Sequence, residues 1–251
     1  MSSRYYQSRA IILKNMDYRE SDKIIHLFTE KEGKLSALAR GVKKPKSSLR
    51  ACVQPFCHSF FHFHRGREME LITQGRLMEF YANTREDISR LLYAVYIMEL
   101  LDKSLLDKMP LPDLYYHTLE VLEYINQLGI NPLIIRHFEL QLLLNLGYSP
   151  NLNSCVNCGS TELSAVNIAA GGAICEACRK VSGPIHSISA QTLALLRLLM
   201  RAKLTTLSRV KASPASLMQL ENLLEAYLEY HLERKFNLSQ TIKNLKAKMM
   251  I

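Results

Sequence analysis

Four cysteines carry the clearest chemical signal in this 251-residue chain. Cys155 and Cys158 form one CxxC pair and Cys175 and Cys178 a second, with sixteen residues between the pairs. Each pair can turn two sulfurs toward one point, and a tetrahedral ion needs two such turns. The spacing therefore predicts one structural Zn2+ per chain, held by all four thiolates. A shell closed in this way has no open position, which makes it a poor Lewis acid or water activator. Gly159 follows the first pair, where a tight turn often needs positive φ. Residues 165–174 read as a short hairpin turning through Gly171-Gly172 and returning the chain to the metal. The competing reading is four reduced, buried cysteines that hold no ion.

Catalytic patterns are absent elsewhere. The chain has no GxxxxGK[ST], HExxH, GxSxG or dinucleotide fingerprint, and no deaminase-type HxE…PCxxC. A protein that is not an enzyme is expected.

Binding chemistry is concentrated near the N-terminus. Residues 40–50, Arg-Gly-Val-Lys-Lys-Pro-Lys-Ser-Ser-Leu-Arg, hold five cations and no acid. Gly41 and Pro45 oppose a helix there, so Arg40, Lys43, Lys44, Lys46 and Arg50 are expected on a loop. Cations on such a loop suit phosphate contact, with salt-dependent and sequence-independent affinity. The bland alternative is a solvated loop that keeps the domain soluble. Downstream, Phe56, His58, Phe60, Phe61, His62, Phe63 and His64 suggest either base stacking or a second metal site with Cys52 and Cys57. Strand alternation points Cys57 and His62 in opposite directions, which disfavours the metal. It places Phe56, His58, Phe60, His62 and His64 on one face and Cys57, Phe61 and Phe63 on the other. Most of the phenylalanines are expected in the core.

The elements that must position these residues follow from periodicity. Residues 9–14, 23–29, 34–40, 56–64 and 70–78 read as five short strands without a long helix between them. They predict a small closed barrel of the oligonucleotide-binding (OB) type, and an SH3-like barrel would read almost alike. From residue 84 the pattern turns helical. Thr84 is expected to cap a helix with Asp87 at its third position, and Ile88, Leu91, Leu92, Val95 and Met98 are expected to form its apolar stripe. Helices follow over about 113–128 and from Asn131-Pro132 to Gly147, then from Ser189 and from Ser213-Pro214. Glu221, Glu225, Glu229 and Glu233 recur at steps of four as an exposed acidic ridge. Tyr93, Tyr96, Tyr115, Tyr116 and Tyr124 are expected to pack rather than react. The fold class is thus α+β: an OB-type barrel over 1–80, a helical domain over 81–153 and 187–251, and an inserted four-cysteine module over 154–186.

Charge follows the same divisions. The chain carries +9 overall; residues 1–80 carry +7, 81–153 carry −4, and 187–251 carry +6, with Lys243, Lys246 and Lys248 in the tail. A basic start and end suggest a polyanion contacted at chosen surfaces. With 48% hydrophobic residues the chain can bury a sizeable core. No apolar run approaches the roughly 20 residues that span a bilayer, and Met-Ser-Ser-Arg-Tyr-Tyr has no signal-type apolar segment. A cytoplasmic location and no membrane partner are expected.

Two stretches give this layout a family likeness. Residues 147–159, Gly-Tyr-Ser-Pro-Asn-Leu-Asn-Ser-Cys-Val-Asn-Cys-Gly, and residues 33–44, Gly-Lys-Leu-Ser-Ala-Leu-Ala-Arg-Gly-Val-Lys-Lys, resemble those of the bacterial RecO family of DNA repair and recombination proteins. The resemblance in layout spans essentially the whole chain. It implies a nucleoid-associated protein that binds single- and double-stranded DNA and anneals complementary strands without ATP. It also implies work with RecR to load RecA onto DNA covered by single-strand DNA-binding protein. Carried onto this sequence, the basic barrel surface comprises Arg40, Lys43, Lys44, Lys46 and Arg50, with Lys34 added. The metal role falls on Cys155, Cys158, Cys175 and Cys178. Two rival readings are a zinc-containing protein–protein adaptor and a zinc-ribbon RNA-binding or transcription factor.

Overall fold

Five strands begin the chain: β1 (Tyr5–Asp17), β2 (Lys23–Thr29), β3 (Gly33–Ala39), β4 (His58–His64) and β5 (Glu70–Glu79). A computed structural model describes residues 4–180, 182–238 and 241–242. The strands pair in the order β1-β2-β3-β5-β4 and close when β4 returns to β1. All ladders are antiparallel except β3–β5, where Ala37, Leu38 and Ala39 lie parallel to Glu70, Leu71 and Ile72. This closed order is that of the OB barrel, as expected. Sequence periodicity could not separate it from an SH3-like barrel, because the distinction lies in which strands pair.

Alternation fills the barrel. Ala10, Ile12, Ile25, Leu27, Leu35, Ala37, Ala39, Phe61, Phe63 and Ile72 form its core. On β4, Phe61 and Phe63 point inward, while His58, Phe60, His62 and His64 are part-exposed on the outer face. Phe56 departs from the expected strand. It precedes β4 with φ of 54° and is buried.

The helices are α1 (Ala82–Glu86), α2 (Ile88–Ser104), α3 (Pro112–Leu128), α4 (Pro132–Asn145), α5 (Ala190–Leu199), α6 (Leu204–Leu207) and α7 (Pro214–Leu232). Asn131, Ser189 and Ser213 cap α4, α5 and α7 through their side chains, and Pro132 and Pro214 sit in the first turns. The start of α2 differs from expectation. Asp87 is itself the cap, accepting from Arg90 N at 2.8 Å, and Thr84 is buried in α1 against Asn126. The expected stripe of α2 is also rotated. Ile88 is exposed, while Tyr93, Ala94, Tyr96, Ile97, Met98, Leu100 and Leu101 are buried. The buried face joins two tyrosines to Ala94, Ile97, Leu100 and Leu101, and tyrosine buries its ring readily. The acidic ridge is shorter than expected: Glu221 and Glu225 are half-buried, and Glu233 lies past the end of α7. The tail cations Lys243, Lys246 and Lys248 lie outside the described residues.

Strand gives way to helix near residue 80, but compactness divides the chain elsewhere. Among the described residues, 4–129 with 236–238 and 241–242 form one unit, and those of 130–235 form the other. In the first unit α2 and α3 lie on the outside of the barrel. Tyr115 of α3 meets Phe28 of β2, with ring centroids 5.5 Å apart, and Asp102 of α2 bonds His26 of β2 at 2.8 Å. In the second unit, α4 packs against α5, α6 and α7. This unit also holds the three-stranded sheet of β6 (Ala165–Asn167), β7 (Gly172–Ile174) and β8 (Ile185–Ser187), in the order β7-β6-β8.

Candidate metal centre and nucleic-acid interface

The cysteine module is built by two turns and a hairpin. Gly159, with φ of 77°, lets the first CxxC turn donate Gly159 N to Cys155 O at 2.9 Å. The second pair turns through a short 3-10 helix, Glu176–Cys178, with Cys178 N donating to Cys175 O at 3.2 Å. Between them β6 and β7 form the expected hairpin, Asn167 opposite Gly172, and β8 adds an unexpected third strand to β6. Val156 N donates to Ala173 O at 3.0 Å and pins the first turn to the hairpin.

The four sulfurs lie within 4.8 Å of one another, and Cys158 and Cys175 sulfurs are 3.6 Å apart. A tetrahedral ion with bonds of about 2.3 Å to sulfur would set them about 3.8 Å apart. A disulfide would bring two of them to about 2.05 Å. The arrangement fits a metal ion held by Cys155, Cys158, Cys175 and Cys178. Charge argues the same way. Hydrogen bonding to the Cys158 and Cys175 sulfurs pushes the Cys178 thiol up to about 12. Burial opposes ionisation of Cys155, yet backbone hydrogen bonds from Cys175, Asn157 and Cys158 outweigh it and bring this thiol down to about 6. A bound cation would favour the ionised form of all four thiols. The core around the sulfurs is small: Cys155, Ala165, Ile174 and Cys175 are its buried members, and the β6–β7–β8 sheet with buried Val166, Ile168 and Ala173 supports it. Cys52 and Cys57 take no part in such a cluster; among the described residues the four-cysteine group is the one candidate metal site.

The basic loop is anchored at several points. Val42 and Leu49 plug into the barrel core, and Cys52 and Val53 continue the plug. Three successive turns, Lys44 N to Gly41 O, Ser47 N to Lys44 O and Arg50 N to Ser47 O, shape it without a helix. Asp22 accepts from Gly41 N at 2.8 Å, and that bond holds its carboxyl below the usual range. Asp17 meets Lys43 at 3.1 Å and Lys23 at 3.3 Å, and both lower its pKa. Past the loop, Arg85 of α1 donates to Pro55 O at 2.8 Å and lies over the rings of Phe56 and Phe80. Burial pushes the neighbouring Cys57 thiol up to about 11, so it stays protonated and inert.

Arg40, Lys43, Lys44, Lys46 and Arg50 are all exposed. Lys43 leans on Asp17, and the other four make no ion pair among the described residues. Lys34 is placed differently. Its ammonium is largely buried, donating to Asp102 O at 2.8 Å and lying 3.5 Å from Asp107. The sequence reading missed the two acids that brace the loop and the Arg85 clamp, since none of them stands in a recognisable motif.

A closed barrel of OB order with a basic loop, followed by a helical unit whose four cysteines could hold a metal ion, sets the class of protein: an OB-barrel chain with a helical C-terminal part. Residues 1–81 match the family described as Recombination protein O N terminal, and residues 85–240 match Recombination protein O C terminal. The chain is 55% identical over 246 residues to a protein of Syntrophomonas wolfei called DNA repair protein RecO, covering 98% of each. Proteins of the same name from Desulforamulus reducens and Moorella thermoacetica are 37% and 34% identical, over 96% and 92% of this chain and 94% and 87% of their own. The chain belongs to the RecO family of DNA repair proteins.

Proposed function

We propose that this protein is a non-catalytic DNA-binding mediator of recombinational repair. It binds single- and double-stranded DNA, anneals complementary strands, and acts with RecR to load RecA onto strands covered by single-strand DNA-binding protein. The observation that carries the reading is the loop over 40–50: five exposed cations on a backbone pinned by Val42, Leu49 and Asp22. Annealing needs two phosphate chains to be screened while base edges stay free. Cations on a preorganised loop do that without a base-reading helix. Arg40, Lys43, Lys44, Lys46 and Arg50 make the phosphate contacts, and Lys34 supports the barrel from behind. The metal is Zn2+, and its role is structural, because the four thiolates would fill its shell.

The test is oligonucleotide binding across a salt series. Reversal of charge at Lys43, Lys44 and Lys46 together weakens binding and flattens the dependence of log K on log salt by about two to three, at roughly 0.7–0.9 per lost phosphate contact. Unchanged affinity and slope would remove the loop from the interface. If oligo(dT) is not retained at low salt even by the unaltered protein, the adaptor reading is favoured. Preference for structured RNA over single-stranded DNA would favour the zinc-ribbon reading.

A further inference from the structure

OB barrels bind oligonucleotides across the outer side of β2 and β3. In this chain that side is taken. Phe28 of β2 is fully buried, with Tyr115 of α3 against its ring. His26 bonds Asp102, and Lys34 of β3 reaches the backbone of α2. Ile11 and Leu13, in the second half of β1, also point out of the barrel and are buried.

The outer side of the first half of β1, with β4 and β5, differs. Three rows cross it. Arg9, Phe60 and Arg76 stand side by side in one, and Gln7, His62 and Gln74 in the next. Tyr5 pairs with His64 in the third, their rings 4.8 Å apart. Tyr5, Gln7, Arg9, Gln74 and Arg76 are exposed, and Phe60, His62 and His64 are part-exposed. The central strand presents rings, and its neighbours present cations and amides. Among the described residues the acid that meets these rows in an ion pair is Glu30, whose carboxylate lies 3.8 Å from Arg9.

We propose that this face is a stacking surface for the unpaired bases of a single strand, centred on Phe60 between Arg9 and Arg76. The inference rests on the reading of the chain as a DNA-binding protein and adds a second surface to the loop. A part-exposed ring whose cross-strand neighbours are two arginines offers stacking area and positive charge for a base and its phosphates. Spacing selects the unpaired form. Alternate residues on a strand are about 6.8 Å apart, twice the 3.4 Å rise per nucleotide of a duplex strand. Bases seated on successive rows must therefore be unstacked from one another, as they are not in a duplex.

Full-length protein is titrated with labelled oligo(dT) and with a blunt duplex of equal length. Phe60→Leu keeps an apolar side chain on the sheet and removes the ring. We expect it to lose on the order of tenfold in affinity for oligo(dT), with the salt slope kept and the duplex affinity nearly unchanged. Arg76→Gln weakens oligo(dT) binding and lowers its salt slope by about 0.7, one phosphate contact on a single strand. Both variants binding oligo(dT) like the unaltered chain, while the loop reversal still weakens it, would overturn the stacking surface and leave the DNA-binding reading standing. Equal losses on single strand and duplex for Phe60→Leu would also overturn it, since they mark a role in barrel structure. No binding of either DNA by the unaltered chain would instead remove the reading on which it rests.

Discussion

Burial keeps His58 and His117 uncharged; it lowers the pKa of each to about 4. For His58 the geometry explains why the neutral form is favoured. Tyr115, itself fully buried and held protonated by that burial, has its hydroxyl 3.0 Å from His58 Nε2 and can donate to it. His117 is mostly buried and lies 3.7 Å from Glu120. An unfolded histidine titrates near 6.5. Between about 6.5 and 4 the unfolded chain therefore binds protons that these two sites refuse, and stability rises with pH across that window. The protein should lose stability as pH falls from 7 to 5. Urea unfolding at a series of pH values should show a midpoint that drops, with uptake approaching about two protons per unfolding event. A flat midpoint between pH 7 and 5 would contradict this account. At the same scale, alternation put Phe61 and Phe63 on one face of β4 and Phe60 on the other, but which face is core took the folded barrel, and the positive φ of Phe56 was not readable at all.

At the scale of elements, the loop between β3 and β4 depends on a position in β5. A Cβ on Gly75 would lie 2.8 Å from both a Leu49 methyl and the Phe61 ring. Gly75 thus makes room for the plug that holds the basic loop against the barrel. Gly75→Val should expel Leu49, cost about 1–3 kcal/mol by overpacking, and loosen the loop. Limited proteolysis would then cut within 40–50 faster than in the unaltered protein, while cleavage elsewhere changes less. Helix starts were the most legible elements, since Asn131-Pro132, Ser189 and Ser213-Pro214 carry their own capping chemistry. The facing of α2 was the least legible. Apolar residues lie on more than one side of it, and only packing chose which side is buried.

For the molecule as a whole, the chain divides into two compact units, and the four-cysteine group belongs to the one over 130–235. A metal ion held by the four cysteines would add its binding energy to the folding energy of this unit. Elemental analysis should find one zinc per chain. Cys155→Ser should release it and lower the melting temperature by about 5 °C or more, while oligo(dT) binding through the barrel is retained. Purified protein free of zinc, or a variant as stable as the unaltered chain, would reject the structural role. No helix among the described residues is long and apolar enough to cross a membrane.

The sequence by itself determined the parts and the chemistry they could offer. Two CxxC pairs, a cation-rich loop broken by Gly41 and Pro45, five alternating strands and capped helices are local patterns, and local sterics and hydrogen bonding suffice to read them. Tertiary structure decided which parts were available. Lys34 and Lys43 are alike in sequence, yet Lys34 is drawn against α2 while Lys43 stays exposed on the loop. β2 and β4 both carry aromatic and histidine residues, yet α2 and α3 cover the outer side of one and leave Phe60 and His62 of the other part-exposed. Pairing order and helix placement join residues far apart in the chain, and no local pattern encodes which of several similar surfaces will be buried.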